Sequence, residues 1–147
     1  MTKTSVGTVI SLFISDKYSK KRTNQKTIEV NPLGIVNDKY YDTNVQRSVL
    51  ITSLESYTLV EQHNIRMPFG SLGENILIDY NPYHLASGNI FEIGTTKLEI
   101  SQNCTICTHL SSIHETLPVL LEKDRGIFAK VIKEGKIKIG DKIYLLS

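Results

Sequence analysis

The feature that most limits what this chain can fold into is the spacing of its apolar residues. They come in short runs, at residues 6–14, 27–30, 48–52, 75–78, 89–93, 97–101, 126–132 and 142–146. Between them stand turn formers: Asn31-Pro32, Gly34, Gly70, Asn81-Pro82, Gly88, Gly94, Gly135 and Gly140. Many short strands punctuated in this way predict a mainly β domain, a sandwich or barrel rather than a βαβ sheet. Two segments break the pattern. Thr52-x-x-Glu55 is a capping-box sequence ahead of residues 53–64, where Leu54, Tyr57 and Val60 follow helical spacing. Residues 116–123 form a second candidate helix, with Pro118 in the first turn, where its missing N–H costs nothing. The last segment, residues 135–143, reads as a strand, a turn at Gly140-Asp141 and a closing strand. With no internal repeat or low-complexity stretch, residues 1–147 read as one domain with two or three short helices.

A domain of 147 residues can bury roughly two-thirds of its unfolded surface, so it needs neither disulfides nor a structural metal to fold. Hydrophobic residues at 40% and charged residues at 22% describe a globular protein rather than a disordered one. The net charge of +2 is too small for a nucleic-acid footprint. The basic run formed by Lys17, Lys20, Lys21, Arg22 and Lys26 reads as a solvated loop. Residues 1–8 lack the apolar core of a signal peptide, and no apolar stretch is long enough to span a membrane. Two cysteines without an export signal predict a cytoplasmic protein whose thiols stay reduced.

The thiols are the first candidates for chemistry. Cys104-Thr105-Ile106-Cys107 is a C-x-x-C followed by His109 and His114. A redox dithiol normally opens a helix in a βαβ context, which is missing here. A zinc site using both cysteines and both histidines would wrap one ion with ligands unusually close in sequence. The third reading makes one cysteine a nucleophile, a sulfur carrier or a ligand to a soft metal. Two ordinary, partly buried thiols are the remaining reading; it loses ground because the pair follows a strand and enters a polar loop, where functional groups are often displayed.

The second candidate is Gly70-Ser71-Leu72-Gly73-Glu74-Asn75-Ile76. Its two glycines let the backbone approach a ligand closely, and Glu74 either turns to that ligand or is solvated beside a turn. Arg47 and Arg125 both precede strands, where an arginine is either solvated or grips a phosphate or carboxylate bidentately. Residues 34–40 read as a turn built on Asn37-Asp38, and His63 and His84 read as surface or packing residues.

In this order, the pieces resemble the MOSC domain family, the module related to the C-terminal part of molybdenum-cofactor sulfurases. Its opening G-x-V and L-x-x-S are matched by Gly7-Thr8-Val9 and Leu12-Phe13-Ile14-Ser15. Its G-I-x-G-D-x-H is matched in part at residues 34–40, and its R-x-V-x-L is close to Arg47-Ser48-Val49-Leu50. G-E-N-I is identical at Gly73, Glu74, Asn75 and Ile76. The closing R-G-I-x-A-x-V and G-x-I-x-x-G-D-x-I are matched at residues 125–131 and 135–143. The chain departs from the family twice. Asn37 and Tyr40 stand where the family has glycine and histidine, and Gln102-Asn103-Cys104-Thr105-Ile106-Cys107 replaces Q-P-R-x-P-C. Cys107 therefore aligns with the family's cysteine and Cys104 with its arginine.

The resemblance implies a β-barrel-like fold and a molybdenum–pterin cofactor. On that reading Cys107 carries sulfur or ligates the metal. Arg47, Arg125 and Lys130 take the pterin's phosphate, and Gly73, Glu74 and Asn75 meet the pterin's edges. The activities implied are sulfur carriage, fed by a partner desulfurase that holds the pyridoxal phosphate, or molybdenum-dependent reduction of N-hydroxylated compounds. No lysine of this chain sits in a pyridoxal-phosphate motif. The alternatives are a cofactor-binding or delivery module without turnover and a small zinc-binding protein.

Overall fold

The computed structural model describes residues 2–18, 21–104, 116, 120–121 and 124–147. Its first strand, β1 (Lys3–Ser15), organises the rest. It is 13 residues long, and its register slips between Ser5 and Gly7 and again between Val9 and Ser11. Such bulges add bend and twist, so one strand can serve several neighbours. After it come β2 (Arg22–Gln25), β3 (Thr27–Asn31), β4 (Gly34–Ile35), a 3-10 turn (Val45–Arg47) and β5 (Val49–Ser53). The chain continues through α1 (Leu54–Glu61), β6 (Ile76–Ile78), β7 (Ile90–Ile93), β8 (Thr96–Asn103), β9 (Ile127–Lys133), β10 (Gly135–Lys138) and β11 (Lys142–Leu146).

Pairing runs β11-β7-β8-β9-β5-β6-β1, and β1 pairs back onto β11, closing a seven-stranded barrel among the described residues. Closure removes the exposed edges that an open sheet would present. β2 hangs on the end of β1 outside that ring, through Leu12–Gln25 to Ser15–Arg22. All these pairs are antiparallel except β5 with β6. A parallel pair needs a crossover, and here α1 and the following loop supply it. A three-stranded sheet, β10-β3-β4, packs Ile28, Val30, Ile35 and Ile137 into the same core as the barrel's Ile51, Phe91, Leu98 and Ile143. Strand alternation does the sorting: Thr96, Leu98 and Ile100 of β8 face inward while the residues between them are half-exposed. A smaller cluster under α1 holds Tyr57, Val60, Leu72, Leu77 and Leu121. Among the described residues no helix is long and apolar enough to cross a membrane.

Each of the eight apolar runs carries a strand, and the Gly140-Asp141 turn forms with Asp141 accepting the Lys138 N–H at 2.8 Å. Three details differ from expectation. The cap of α1 is Ser53, whose hydroxyl accepts the Glu55 N–H at 3.1 Å, while the Thr52 hydroxyl donates to the Arg125 carbonyl. The helix stops at Glu61 rather than running to residue 64. The basic run is not only a loop, since it contains β2. Of the second candidate helix most residues lie outside the described ones, though the Leu120 N–H donates to the Thr116 carbonyl at 3.0 Å as one helical turn would.

Asn37, standing where the family has glycine, takes a left-handed φ of 73°. Asparagine tolerates that region better than other residues with a Cβ. The side chain is exposed, so substitutions there report on the backbone alone. Asn37→Gly is expected to leave stability unchanged or slightly raised, and Asn37→Val to cost about 1–2 kcal/mol in urea unfolding.

Candidate functional site

The outer wall of the barrel becomes a cleft where β5 and β9 lie side by side. Leu50 and Phe128 are partners in that pair. Both alternate with core residues, so they point out of the barrel, where Cys104 joins them in a small buried cluster. The end of β1, the start of β2, residues 39–48 and the 70–75 loop rise around this wall. Together they enclose roughly 1040 Å³.

The cleft is cationic. Arg22, Lys39, Arg47 and Arg125 line it, and no Asp or Glu does so among the described residues. The ion pairs among the described residues are Lys3–Glu92 and Lys130–Glu99, so none of the four has a carboxylate partner there. Two of them rest on aromatic faces: Arg47 lies 4.6 Å from the Phe128 ring centroid and Lys39 lies 4.8 Å from that of Tyr40. The other two are held by main-chain carbonyls. Arg22 donates to the Glu74 carbonyl at 2.7 Å, and Arg125 donates to the Leu72 carbonyl at 3.0 Å. Arg125 is only 6% exposed, and its Nε has no hydrogen-bond partner. A buried N–H left unpaired is costly, as is the Glu74 Oε1, also buried and without a partner among the described residues.

Those carbonyls are aimed by a turn whose shape two glycines permit. Gly70 and Gly73 have φ of 93° and 87°, in the left-handed region. Behind the turn, Glu74 is fully buried, and its Oε2 accepts from the Tyr57 hydroxyl at 2.6 Å and from the Gly70 N–H at 2.9 Å. Asn75 does similar work across the strands. Its Oδ1 accepts the Leu50 N–H at 3.0 Å and its Nδ2 donates to the Phe13 carbonyl at 3.2 Å. Nδ2 also reaches Asp38 Oδ1 at 3.4 Å, and Asp38 in turn accepts the N–H groups of Ser15 and Tyr40.

The structure thus brings Arg47, Gly73, Asn75 and Arg125 to one cleft. Two other residues expected at the site lie outside this cleft. Glu74 neither lines the cleft nor is solvated: its Oε2 accepts from Tyr57 and Gly70 inside the protein, and its Oε1 is buried without a hydrogen-bond partner. Lys130 does not line the cleft, because it pairs with Glu99 across β8 and β9 at 3.3 Å. Cys107, His109 and His114 lie outside the described residues, and among the described residues no cluster of His, Cys, Asp or Glu could hold a metal. Cys104, 5% exposed, forms part of the cleft wall. Sequence reasoning missed Arg22, Lys39 and Tyr40. The available signal for Arg22 was its short distance from Ser15, which returns the chain along β1 as a hairpin to the same end.

The buried phenols make the site's scaffold sensitive to alkali. Burial first, then the neighbouring Glu74 carboxylate, holds Tyr57 far above the ordinary tyrosine value. Tyr83, bonded by the Ser53 N–H at 2.8 Å and sharing a bond with Ser56, is pushed up to about 12, again mainly by burial. A raised pKa in the folded state contributes stability below the unfolded value near 10 and loses it as pH rises through the folded value. Unfolding free energy is therefore expected to fall as pH rises from about 10 to 12. Tyr83→Phe should weaken that dependence, as measured by urea unfolding across the range.

The comparisons agree with this architecture. The family model for the MOSC domain matches residues 37–144. No curated protein matches the chain. Among solved structures, the YuaD protein from Bacillus subtilis superposes with a TM-score of 0.85 at 16% identity, over 98% of this chain and 97% of its own. YiiM from Geobacillus stearothermophilus gives 0.71 at 17% identity, over 99% of this chain and 76% of its own. YiiM from Escherichia coli gives 0.70 at 19%, over 95% and 70%. At such identities the likeness speaks for the fold alone, and the family rests on the matched model, which spans most of the sequence. This chain belongs to the MOSC domain family.

Proposed function

We propose that the cleft binds a molybdenum–pterin cofactor and that Cys107 is the reactive thiol serving it. The observation that carries this reading is the set of four cations without carboxylate partners among the described residues, around a buried Arg125 Nε that lacks an acceptor. Such a set suits the phosphate of a pterin cofactor, and the MOSC family is associated with the molybdenum cofactor. Arg47 and Arg125 contribute charge-assisted hydrogen bonds to the phosphate end. The wall of Leu50, Phe128 and Cys104, with the Arg47 guanidinium stacked on the Phe128 ring, gives the cleft one largely apolar side. Glu74 and Asn75 act from behind, holding the loop and strands that aim the cations.

When bound, the cofactor would supply a redox-active metal able to hold a terminal sulfur. The chain's own contribution is the thiolate of Cys107, soft and nucleophilic. In sulfur carriage this thiolate attacks the outer sulfur of a persulfide on a partner desulfurase. A new S–S bond forms at Cys107, the partner's S–S bond breaks, and the partner's thiolate leaves. Pyridoxal phosphate belongs to that partner. In the reductase reading, Cys107 would instead help to hold the metal, and the cofactor would supply the electrons that reduce an N-hydroxylated compound.

Protein purified from cells making the cofactor is expected to carry molybdenum and pterin in equal amounts, measured by elemental analysis and pterin fluorescence. Failure of both to co-purify, and of added cofactor to bind, would overturn the proposal. Cys107→Ser is expected to abolish cellular activity while phosphate-end binding persists. Unchanged activity in that variant would favour a delivery module that holds the cofactor without turnover.

A further inference from the structure

The four cations of the cleft are not equivalent. Arg47 and Lys39 lie against aromatic rings, whereas Arg22 and Arg125 converge on one glycine. A Cβ added at Gly73 would meet an Arg125 terminal nitrogen at 3.6 Å and an Arg22 terminal nitrogen at 3.9 Å. Each guanidinium is anchored by one main-chain carbonyl of the same turn, Glu74 for Arg22 and Leu72 for Arg125. A guanidinium has five donors, so both keep N–H groups to give, and Arg125 Nε is buried with no acceptor.

We infer that Arg22 and Arg125 form a two-armed clamp for one tetrahedral oxyanion, and that the ligand is the phosphate monoester of a ring compound. Arg22 comes from β2, a strand outside the barrel ring, so the clamp exists only when β2 is folded against β1. The monoester assignment rests on the side of the same cleft formed by Leu50 and by the Arg47 guanidinium stacked on Phe128, whose apolar and flat surfaces suit a ring rather than a free ion. The inference deepens the proposed function and rests on the same cleft being the ligand site.

Gly73 is what lets the two arms approach. A side chain there would meet strain at φ 87° and fill the space between the guanidiniums. The G-E-N-I motif thus acts mainly through its backbone: the carbonyls flanking Gly73 aim the arginines, and the Glu74 side chain fixes the turn that carries them.

Calorimetric titration with inorganic phosphate and with phenyl phosphate tests the clamp, using wild type, Arg22→Gln, Arg22→Lys and Lys130→Gln, each checked for folding by its thermal melt. Wild type is expected to bind both, phenyl phosphate several-fold more tightly. Arg22→Gln should weaken both by about tenfold or more, Arg22→Lys should recover only part because a point charge replaces a fork, and Lys130→Gln should match wild type. Phosphate binding by folded Arg22→Gln equal to that of wild type would overturn the clamp, as would no binding by wild type. Equal affinity for the two probes would overturn the monoester assignment and leave a free anion as the ligand. The clamp and the cofactor reading fail separately. Phosphate held through Arg22 with no molybdenum or pterin on the purified protein supports the clamp and removes the cofactor, whereas equal cofactor content in wild type and Arg22→Gln removes the clamp and keeps the cofactor.

Discussion

A single buried carboxylate sets the shape of the functional end of this protein. Glu74 receives the Tyr57 hydroxyl and the Gly70 N–H on one oxygen, and so ties α1 to the turn that precedes β6. A buried polar group is costly unless hydrogen-bonded, so the two bonds to Oε2 pin the turn against α1, while Oε1 stays buried without a partner. The turn so fixed presents the carbonyls of Leu72 and Glu74 to two arginines. A polar interaction inside the protein thereby governs where charge is placed outside the barrel.

Asn75 extends the same logic to the strands. Its side chain and main chain bond Leu50 on one side and Phe13 on the other, continuing the sheet by one residue at the point where β6 begins. Asp38 caps this junction by accepting the N–H of Ser15 at the end of β1. Motif residues that look like ligand contacts in the sequence are, in the structure, mostly the internal supports of a cationic cleft. The barrel gives rigidity, the turn gives direction, and the arginines give the cleft its charge.

The strands were legible because a core-facing strand must alternate, and the apolar runs record that alternation. β2 was not legible, since Arg22-Thr23-Asn24-Gln25 has no apolar residue and is defined only by its partner β1. For the same reason Arg22 looked like one more charge in a basic run. The helix start was legible to within one residue. Thr52 and Ser53 can both cap, and the nearby Arg125 carbonyl claimed the threonine. The burial of Glu74 was hidden because its partners, Tyr57 and Gly70, are four or more residues distant and meet it only through the tertiary fold. Asn37 shows the opposite case: a substitution at a family glycine keeps the left-handed backbone that the turn requires.

The proposal of an anionic cofactor turns on one atom, the buried Arg125 Nε, whose N–H has no acceptor among the described residues. The most direct measurement is the arginine Nε–H resonance in a nitrogen–proton correlation spectrum, assigned with Arg125→Lys and recorded on cofactor-free and cofactor-loaded protein. The Arg125 resonance is expected to shift downfield on loading, as an unpaired N–H gains a charge-assisted hydrogen bond. A resonance that stays in place while the cofactor binds would contradict it.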